Sequence, residues 1–317
     1  MTNTQKEVFK TPVNKIRLFE HGAPGSQNLK LTRKYYTEDM TDGRVKHIVQ
    51  NITDPDIVPY IPDGIGNSTD RQRIPAVLII PGGAFRRLVY NFEGEDVAKW
   101  LNSMGIAAFV LECRLPSDEH DNAEDVPLID AMRAMRVIRG RAQEFGIDEA
   151  KIGVMGFSAG GFMAALLSTA YESDVYADYK YKDEYDKLSA RPDFAVCSYP
   201  VISIDDCIEA GKRYMSEEQV LERISDSKAK ILHKYNPDKL VRPDMPPVFI
   251  CETDDDRTTL SENSVGFYMA ARKAGVSAEL HIFRTGGHGY GCGDDFAQTG
   301  EWKVLFTKWI KSIGIIS

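Results

Sequence analysis

The chain has 317 residues, of which 43% are hydrophobic and 27% are charged. These proportions are ordinary for a soluble globular protein and argue against collagen-like, coiled-coil and disordered classes. The 47 acidic residues outnumber the 39 basic ones, and the resulting net charge of −8 disfavours nucleic-acid binding. No apolar run approaches the ~20 residues of a membrane-spanning helix, so we expect no membrane span.

The N-terminal sequence has no apolar core of the kind found in secretion signals, which favours a cytoplasmic location. The five cysteines contain no CxxC pair. Three of them, Cys113, Cys197 and Cys251, lie in or beside apolar segments. We therefore predict reduced, buried thiols rather than disulfides or a zinc site.

An N-terminal lead-in covers residues 1–70 and precedes a regular alternation of apolar and amphipathic segments. The lead-in has two strand-like segments, 16–19 and 45–52, and the loop 54–73 is rich in Pro, Gly and Asp. The predicted strands after it are 76–80, 106–111, 152–155, 194–199, 248–251 and 278–283. The predicted helices are 95–104, 128–145, 159–171, 265–274 and 301–310.

This alternation predicts an α/β fold with a mostly parallel central sheet. Because the strands are apolar throughout, helices should cover both faces of the sheet. The segments 172–191 and 202–244 interrupt the alternation and are candidates for a small lid or cap over the ligand crevice. Surface insertions without substrate contact are the alternative for both. We expect residues 1–317 to form a single domain that includes these insertions.

The sequence GFSAG at residues 156–160 matches the pattern G-x-S-x-G. It lies between a predicted strand and a predicted helix, which is the setting that a nucleophilic serine of this type requires. Such a turn projects the serine oxygen above the sheet, and the helix N-terminus directs free N–H groups at it. We therefore predict that Ser158 is a nucleophile. A glycine-rich turn that merely packs tightly is the alternative.

The sequence PGGA at residues 81–84 directly follows the first strand of the predicted sheet. A tetrahedral intermediate needs backbone donors ~3 Å from its oxyanion, and glycines allow that close approach. The donors come from the residue after the serine and from a loop after a neighbouring strand. We predict the N–H groups of Ala159, Gly83 and Gly82 as these donors, with an ordinary Pro-Gly turn as the alternative.

A nucleophilic serine needs a general base, and His288 is the best candidate among the six histidines. It lies in TGGHG, a flexible turn that follows the predicted strand 278–283. Its position after Ser158 also agrees with one known order of such catalytic residues along the chain, in which the serine comes first, the acid second and the histidine last. A loop histidine in solvent is the alternative.

The acid that orients the histidine should follow the predicted strand 248–251. Asp254, Asp255 and Asp256 stand in a row there, and their spacing alone does not separate them. A solvated acidic loop would show the same run of residues.

A metal site is the rival interpretation of the C-terminal region. His288, Cys292, Asp294 and Asp295 are close together, but they lack the regular spacing of a zinc motif. We therefore predict neither a metal nor another cofactor.

Six blocks of the chain together resemble the α/β-hydrolase superfamily. The blocks are PAVLIIPGGAF, EGEDVAKWLNSMGIAAFVLECRLP, GIDEAKIGVMGFSAGG, YPVIS, DDRTTLSENS and GGHGY. They look most like its bacterial acetyl-xylan-esterase-like branch of carbohydrate esterases, near the hormone-sensitive-lipase type. The resemblance implies the α/β-hydrolase fold and places the catalytic acid of the family on Asp256. Two departures are Ala84, where a third glycine is usual, and Thr258-Thr259-Leu260, which replaces an apolar Val-Val-Pro.

The resemblance implies a serine carboxylesterase that hydrolyses short-chain acyl esters through Ser158, His288 and Asp256. Family analogy extends this to the removal of acetyl groups from sugars or oligosaccharides. The expected partner is a small-molecule ester, and a homo-oligomer is an open option. The alternatives are a serine peptidase or amidase on the same fold and a non-catalytic binding protein.

Overall fold

The structure is a computed structural model that describes residues 9, 13–65, 73–213, 215–216, 218–220, 227–293 and 298–317. The strands of the described residues are β1 (Ile16–Arg17), β2 (Lys34–Asp39), β3 (Val45–Gln50), β4 (Asp56–Tyr60), β5 (Ile74–Ile80), β6 (Leu88–Val89), β7 (Ala107–Glu112), β8 (Ile147–Phe157), β9 (Ala195–Ser198), β10 (Val248–Thr253) and β11 (Ala278–Phe283). The α-helices are α1 (Asp96–Ser103), α2 (Val126–Gly140), α3 (Ala142–Phe145), α4 (Ala159–Ala170), α5 (Ile204–Lys212), α6 (Ser227–Lys234), α7 (Ser261–Lys273) and α8 (Trp302–Ser312).

Within the described residues, the larger sheet has the strand order β1-β4-β7-β5-β8-β9-β10-β11. The strands from β7 to β11 in this order are parallel, whereas β4 runs antiparallel to β7 and to β1. The carboxyl ends of β5, β8, β9 and β10 therefore meet at one edge of the sheet. This edge is where an open α/β sheet places its ligand crevice.

Helices cover both faces of this sheet, as the sequence predicts. Every residue of β7 is buried, and so is every residue of β5 after Ile74. Helices α1 and α8 contact each other through Trp100 and Trp302, whose ring centroids lie 4.9 Å apart. Helices α2 and α4 contact each other on their own side of the sheet. The predicted mostly parallel α/β architecture is confirmed.

The structure corrects the sequence prediction in three places. The predicted loop 54–73 contains strand β4, which carries Pro59 and lies between β1 and β7. Strand β2 was not predicted, because its sequence KYYTED is polar and pairs with β3 in a separate antiparallel sheet. The predicted helix 128–145 is divided at Arg141 into α2 and α3, and Gly146 with φ 67° ends α3.

The segment 172–191 lies away from the expected crevice. It starts after α4, which runs back from the carboxyl edge of the sheet, and it ends before β9 begins. Its side chains bond to α2, where Asp186 pairs with Arg133 at 3.1 Å and the Leu188 carbonyl accepts a hydrogen bond from Arg136 at 3.0 Å. Its position argues against a lid, so we keep the lid proposal for 202–244 alone.

The segment 202–244 starts at the carboxyl edge of the sheet, directly after β9. The backbone N–H groups of Ile202 and Ser203 donate to Asn263 Oδ1 at 2.8 and 3.0 Å. After α6, Tyr235 donates its hydroxyl hydrogen to Asp125 Oδ1 at 2.5 Å, immediately before α2 begins. The described part of this segment therefore spans the edge where Ser158 lies. Its role as a lid stays a prediction.

None of the helices in the described part of the chain has the length and apolarity needed to cross a membrane.

The buried ion pair between Arg114 and Asp130 ties the end of β7 to α2. Arg114 Nη2 lies 2.7 Å from Asp130 Oδ1, and neither side chain is exposed to solvent. We expect Arg114→Met to lower the free energy of unfolding by about 3–5 kcal/mol, because it leaves the Asp130 carboxylate buried without its cation. Urea denaturation followed by circular dichroism measures this change.

Arg141→Met is the matched control for that substitution. Arg141 pairs at the surface with Glu144, three residues along the chain, so its loss should cost less than about 1 kcal/mol. Equal destabilisation by the two variants would contradict the prediction.

Candidate active site

Ser158 occupies the sharp turn between β8 and α4. Its backbone angles are φ 54° and ψ −118°, a conformation that non-glycine residues rarely adopt. A Cβ on Gly156 would collide with the carbonyl oxygen of Gly160, and one on Gly160 would collide with that of Ile80. The glycines of the motif are therefore required by the close approach of strand, helix and neighbouring strand around the serine.

Ser158, His288 and Asp256 form one chain of hydrogen bonds. Ser158 Oγ lies 2.8 Å from His288 Nε2, and His288 Nδ1 lies 2.6 Å from Asp256 Oδ2. The arrangement fits a neutral imidazole that donates from Nδ1 to the carboxylate and accepts at Nε2 from the hydroxyl. This geometry allows His288 to take the proton of Ser158 during nucleophilic attack.

The surroundings of Asp256 favour its charged form. Its Oδ1 accepts hydrogen bonds from the N–H groups of Thr258 and Thr259 at 2.7 and 2.9 Å. The Thr259 hydroxyl lies 3.0 Å from Oδ2. Burial opposes ionisation, but the hydrogen bond and charge of His288 and these amides outweigh it, so the pKa of Asp256 lies below its ordinary value.

The three neighbouring aspartates have different environments. Asp256 is buried and bonds to His288, whereas Asp254 is exposed. Asp255 Oδ1 accepts hydrogen bonds from the N–H groups of Gly286 and Gly287 at 2.9 and 2.8 Å, so it braces the turn that carries the histidine. Geometry therefore favours Asp256 as the triad acid, and this role stays our proposal.

The glycine loop after β5 offers one of its two predicted donors to the site. The Gly82 N–H donates to Glu93 Oε2 at 2.8 Å and is not free to bind an oxyanion, which corrects our prediction for Gly82. The Gly82 carbonyl accepts the N–H of Val89 at 2.9 Å. Because a trans peptide points its N–H opposite to its carbonyl, the Gly83 N–H faces the other way.

Gly83 and Ala159 remain the proposed oxyanion donors. No acceptor for either N–H is found in the part of the chain that the structure describes. Ala159 is the first residue of α4, so its N–H has no partner within the helix. The prediction for these two residues is kept, as a proposal.

Glu93 and Tyr199 lie near the hydrogen-bonded Ser158, His288 and Asp256, and the sequence did not predict either residue as part of the site. Glu93 is buried, and Tyr199 stacks edge-to-face on His288 with ring centroids 5.0 Å apart. Glu93 precedes an amphipathic helix, where an acidic residue normally lies at the surface and stabilises the helix dipole. The only signal was the position of both residues inside the blocks that resemble the family.

A small apolar pocket of about 20 Å³ lies beside the proposed oxyanion donors. Gly83 and Ala159 form part of its wall, and the side chains that line it include Phe85, Leu115 and Met163. A cavity of this size holds little more than one water-sized group, so it suits a small apolar group.

The rival metal site involves residues that the structure only partly describes. Asp294 and Asp295 lie outside the described residues. Among the residues that are described, no three His, Cys, Asp or Glu side chains are grouped to hold a metal ion. The absence of a metal stays a prediction. Four of the five cysteines are buried, and Cys292 is half-buried.

The family model BD-FAE matches residues 65–270, more than half of the chain. The chain belongs to the BD-FAE family. This BD-FAE chain is 31% identical over 240 residues to an acetylxylan esterase of Xylanibacter ruminicola, which covers 75% of the chain and 45% of that relative. It is also 31% identical over 227 residues to endo-1,4-beta-xylanase B of Butyrivibrio fibrisolvens. This match covers 71% of the chain and 34% of that relative. The chain spans less than half the length of these curated relatives.

Solved structures confirm the α/β-hydrolase fold of this BD-FAE protein. An acetyl ester-xyloside bifunctional hydrolase from Caldicellulosiruptor lactoaceticus has a TM-score of 0.68 at 38% identity, covering 84% of this chain and 91% of that one. A carboxylesterase from Lactobacillus plantarum has a TM-score of 0.68 at 20% identity, covering 91% of this chain and 99% of that one. At that lower identity the likeness shows the fold alone.

The hydrogen bonds that join Ser158, His288 and Asp256 predict selective labelling of Ser158 by a fluorophosphonate probe. Asp256→Asn should slow the labelling by roughly 10³-fold, because an amide favours the wrong tautomer of His288. Asp255→Asn should slow it only by about tenfold, since it loosens the histidine turn without touching the ring. Intact-mass spectrometry over time measures all of these rates.

Asp254→Asn is the matched control, because it makes the same change at the exposed neighbour. It should label at the rate of the unmodified protein. If Asp254→Asn and Asp256→Asn slowed the reaction equally, the proposed acid would be wrong.

Proposed function

We propose that this BD-FAE protein is a serine carboxylesterase that removes short acyl groups, acetyl above all, from sugars or oligosaccharides. One observation carries the catalytic part of the proposal. The 2.8 Å contact of Ser158 with His288 continues through a 2.6 Å contact to Asp256, and the nearby N–H groups of Gly83 and Ala159 have no acceptor among the described residues. A nucleophile, a base, an orienting acid and an oxyanion site are the groups that acyl transfer requires.

In the proposed reaction, Ser158 Oγ attacks the ester carbonyl carbon while His288 Nε2 accepts the hydroxyl proton. Asp256 stabilises the imidazolium that forms. The negative oxygen of the tetrahedral intermediate faces the N–H groups of Gly83 and Ala159. Its collapse breaks the ester C–O bond, and His288 returns the proton to the leaving alcohol. Water, deprotonated by His288, then attacks the acyl-enzyme and releases the carboxylic acid.

Two observations support an acetyl ester of a sugar as the substrate class. One of the two curated relatives with 31% identity is an acetylxylan esterase, and the solved relative with 38% identity is an acetyl ester-xyloside bifunctional hydrolase. The pocket beside Gly83 and Ala159 is small and apolar, which suits a short acyl chain. Location in the cytoplasm, a single domain and any oligomer stay predictions.

We expect Ser158→Ala to lower kcat for p-nitrophenyl acetate by roughly 10⁵–10⁶-fold, because the nucleophile is lost. Release of acetate from acetylated xylo-oligosaccharides should fall in parallel. Spectrophotometry measures the first reaction and enzymatic acetate detection measures the second. Ser103→Ala, at an exposed serine of α1, is the matched control and should leave both unchanged.

The result also separates the alternative functions. Turnover of an amino-acid anilide but not of an acetate ester would favour an amidase or peptidase. Turnover of neither, with both variants equal, would favour a non-catalytic binding protein.

The small pocket predicts a strong preference for short acyl chains. We expect kcat/KM to fall at least tenfold from p-nitrophenyl acetate to the hexanoate, since each methylene that does not fit costs about 1–3 kcal/mol. Met163 lines the pocket, so Met163→Ala should recover part of the hexanoate activity.

Met135→Ala is the matched control for that variant, because Met135 is buried in α2 but does not line the pocket. It should leave the chain-length preference unchanged. If both variants shifted the preference alike, another surface would hold the acyl chain.

A further inference from the structure

Glu93 is a buried carboxylate that the triad does not use. It lies in the π-helical turn Asn91–Glu95, directly before α1, and only 5% of its surface is exposed. Turns of this kind are rare and occur frequently at functional sites. Among the described residues no lysine or arginine pairs with Glu93. Its burial is therefore compensated by hydrogen bonds rather than by an ion pair.

The two carboxyl oxygens of Glu93 join different loops of the site. Oε2 accepts the Gly82 N–H at 2.8 Å, and Oε1 accepts the Tyr199 hydroxyl at 2.9 Å. The Tyr199 hydroxyl in turn accepts the Gly291 N–H at 3.1 Å. One side chain thus connects the glycine loop after β5, the residue after β9 and the loop that carries His288.

The backbone conformation of Tyr199 suits this contact. Its φ of 38° lies in the left-handed region, which is unfavourable for a tyrosine. The conformation places its hydroxyl on Glu93 while its ring stacks against His288 and Tyr290, with centroid distances of 5.0 and 4.5 Å. Local strain that other contacts maintain is typical of residues that shape a site.

The contact with Gly82 decides where the oxyanion donor points. Glu93 holds the N–H of Gly82, and Val89 holds its carbonyl. With both ends of this residue held, the following peptide is fixed, and with it the Gly83 N–H that we propose as an oxyanion donor. Without Glu93, the buried Gly82 N–H would lack an acceptor, and the loop would have to rotate to find one.

We propose that Glu93 is a positioning residue that holds the oxyanion loop in register with the histidine loop around Ser158. The proposal rests on the proposed acyl-transfer function. Burial raises the pKa of the Glu93 carboxyl, while the charge of His288 and the two hydrogen bonds oppose that rise. The role requires an acceptor for the Gly82 N–H and a hydrogen-bond partner for the Tyr199 hydroxyl. The side-chain amide of a glutamine at position 93 can also supply both.

The test compares Glu93→Ala and Glu93→Gln in steady-state hydrolysis of p-nitrophenyl acetate. Glu93→Ala should lower kcat by roughly 10²–10³-fold with KM within threefold, because misplacing an oxyanion donor acts on the transition state. Glu93→Gln should retain kcat within tenfold and leave the pH profile unchanged. Glu95→Gln is the matched control, because Glu95 pairs with Lys99 in the same turn at 2.8 Å and should leave kcat unchanged.

Two further measurements separate positioning from loss of folded protein. Complete titration of Ser158 by a fluorophosphonate should show that Glu93→Ala is fully folded but reacts slowly. Affinity for a trifluoromethyl ketone, which forms an oxyanion on Ser158, should fall by the same factor as kcat/KM. If Glu93→Ala does not fold, Tyr199→Phe removes one partner of Glu93 and should lower kcat several-fold with the same loss of ketone affinity.

Three outcomes would overturn the proposal. They are a kcat for Glu93→Ala within threefold of the unmodified protein, a ketone affinity that does not follow kcat/KM, and a Glu93→Gln variant as impaired as Glu93→Ala. The phosphonylation rates do not depend on the natural substrate. A protein that labels normally but hydrolyses no acetate ester would therefore count against the proposed function. The labelling rates of the Glu93 variants would still test the positioning role of Glu93.

Discussion

The site depends on one steric constraint, the close approach of three backbone segments around the turn at Ser158. Strand β8, helix α4 and the loop after β5 meet where no Cβ fits on Gly156, Gly160 or Gly82. The positive φ of Ser158 is tolerated because this packing surrounds it. The same closeness keeps Gly82, and with it the loop that carries Gly83, against Ser158. The proposed nucleophile and oxyanion site therefore depend on a single packing arrangement.

The electrostatics of the site follow from the number of donors around each buried carboxyl. Asp256 receives hydrogen bonds from two amides, the Thr259 hydroxyl and His288, and its pKa is lowered. Glu93 receives two hydrogen bonds and Glu252 lies buried beside Asp256, and burial raises the pKa of both. Charge is thus favoured on the carboxylate that faces His288, where the proposed reaction needs it to stabilise an imidazolium.

Local sequence patterns were sufficient for the parallel strands and for the choice of Ser158 and His288, which the structure places in contact. An apolar run indicates a strand buried on both faces, and a strand-turn-helix motif indicates the backbone geometry of the turn. Local patterns did not predict β4, because Pro59 and the polar flanking residues are typical of a loop. Its pairing with β7 makes this segment a strand. Local patterns also failed for the Gly82 N–H, because its acceptor is Glu93, eleven residues along the chain and on another element. Contacts between elements leave no periodic signal in the sequence.

The departures from the family pattern are compatible with the same geometry. Thr259 stands where the family has an apolar residue, and its hydroxyl lies 3.0 Å from Asp256 Oδ2, so the change adds a donor to the proposed triad acid. Ala84 adopts φ 57°, a left-handed conformation in which glycine would be unstrained, at a cost of roughly 1–2 kcal/mol. The proposed oxyanion donor belongs to Gly83, one residue earlier. The alanine therefore affects the stability of the loop, whereas the contacts that hold the preceding peptide come from Val89 and Glu93.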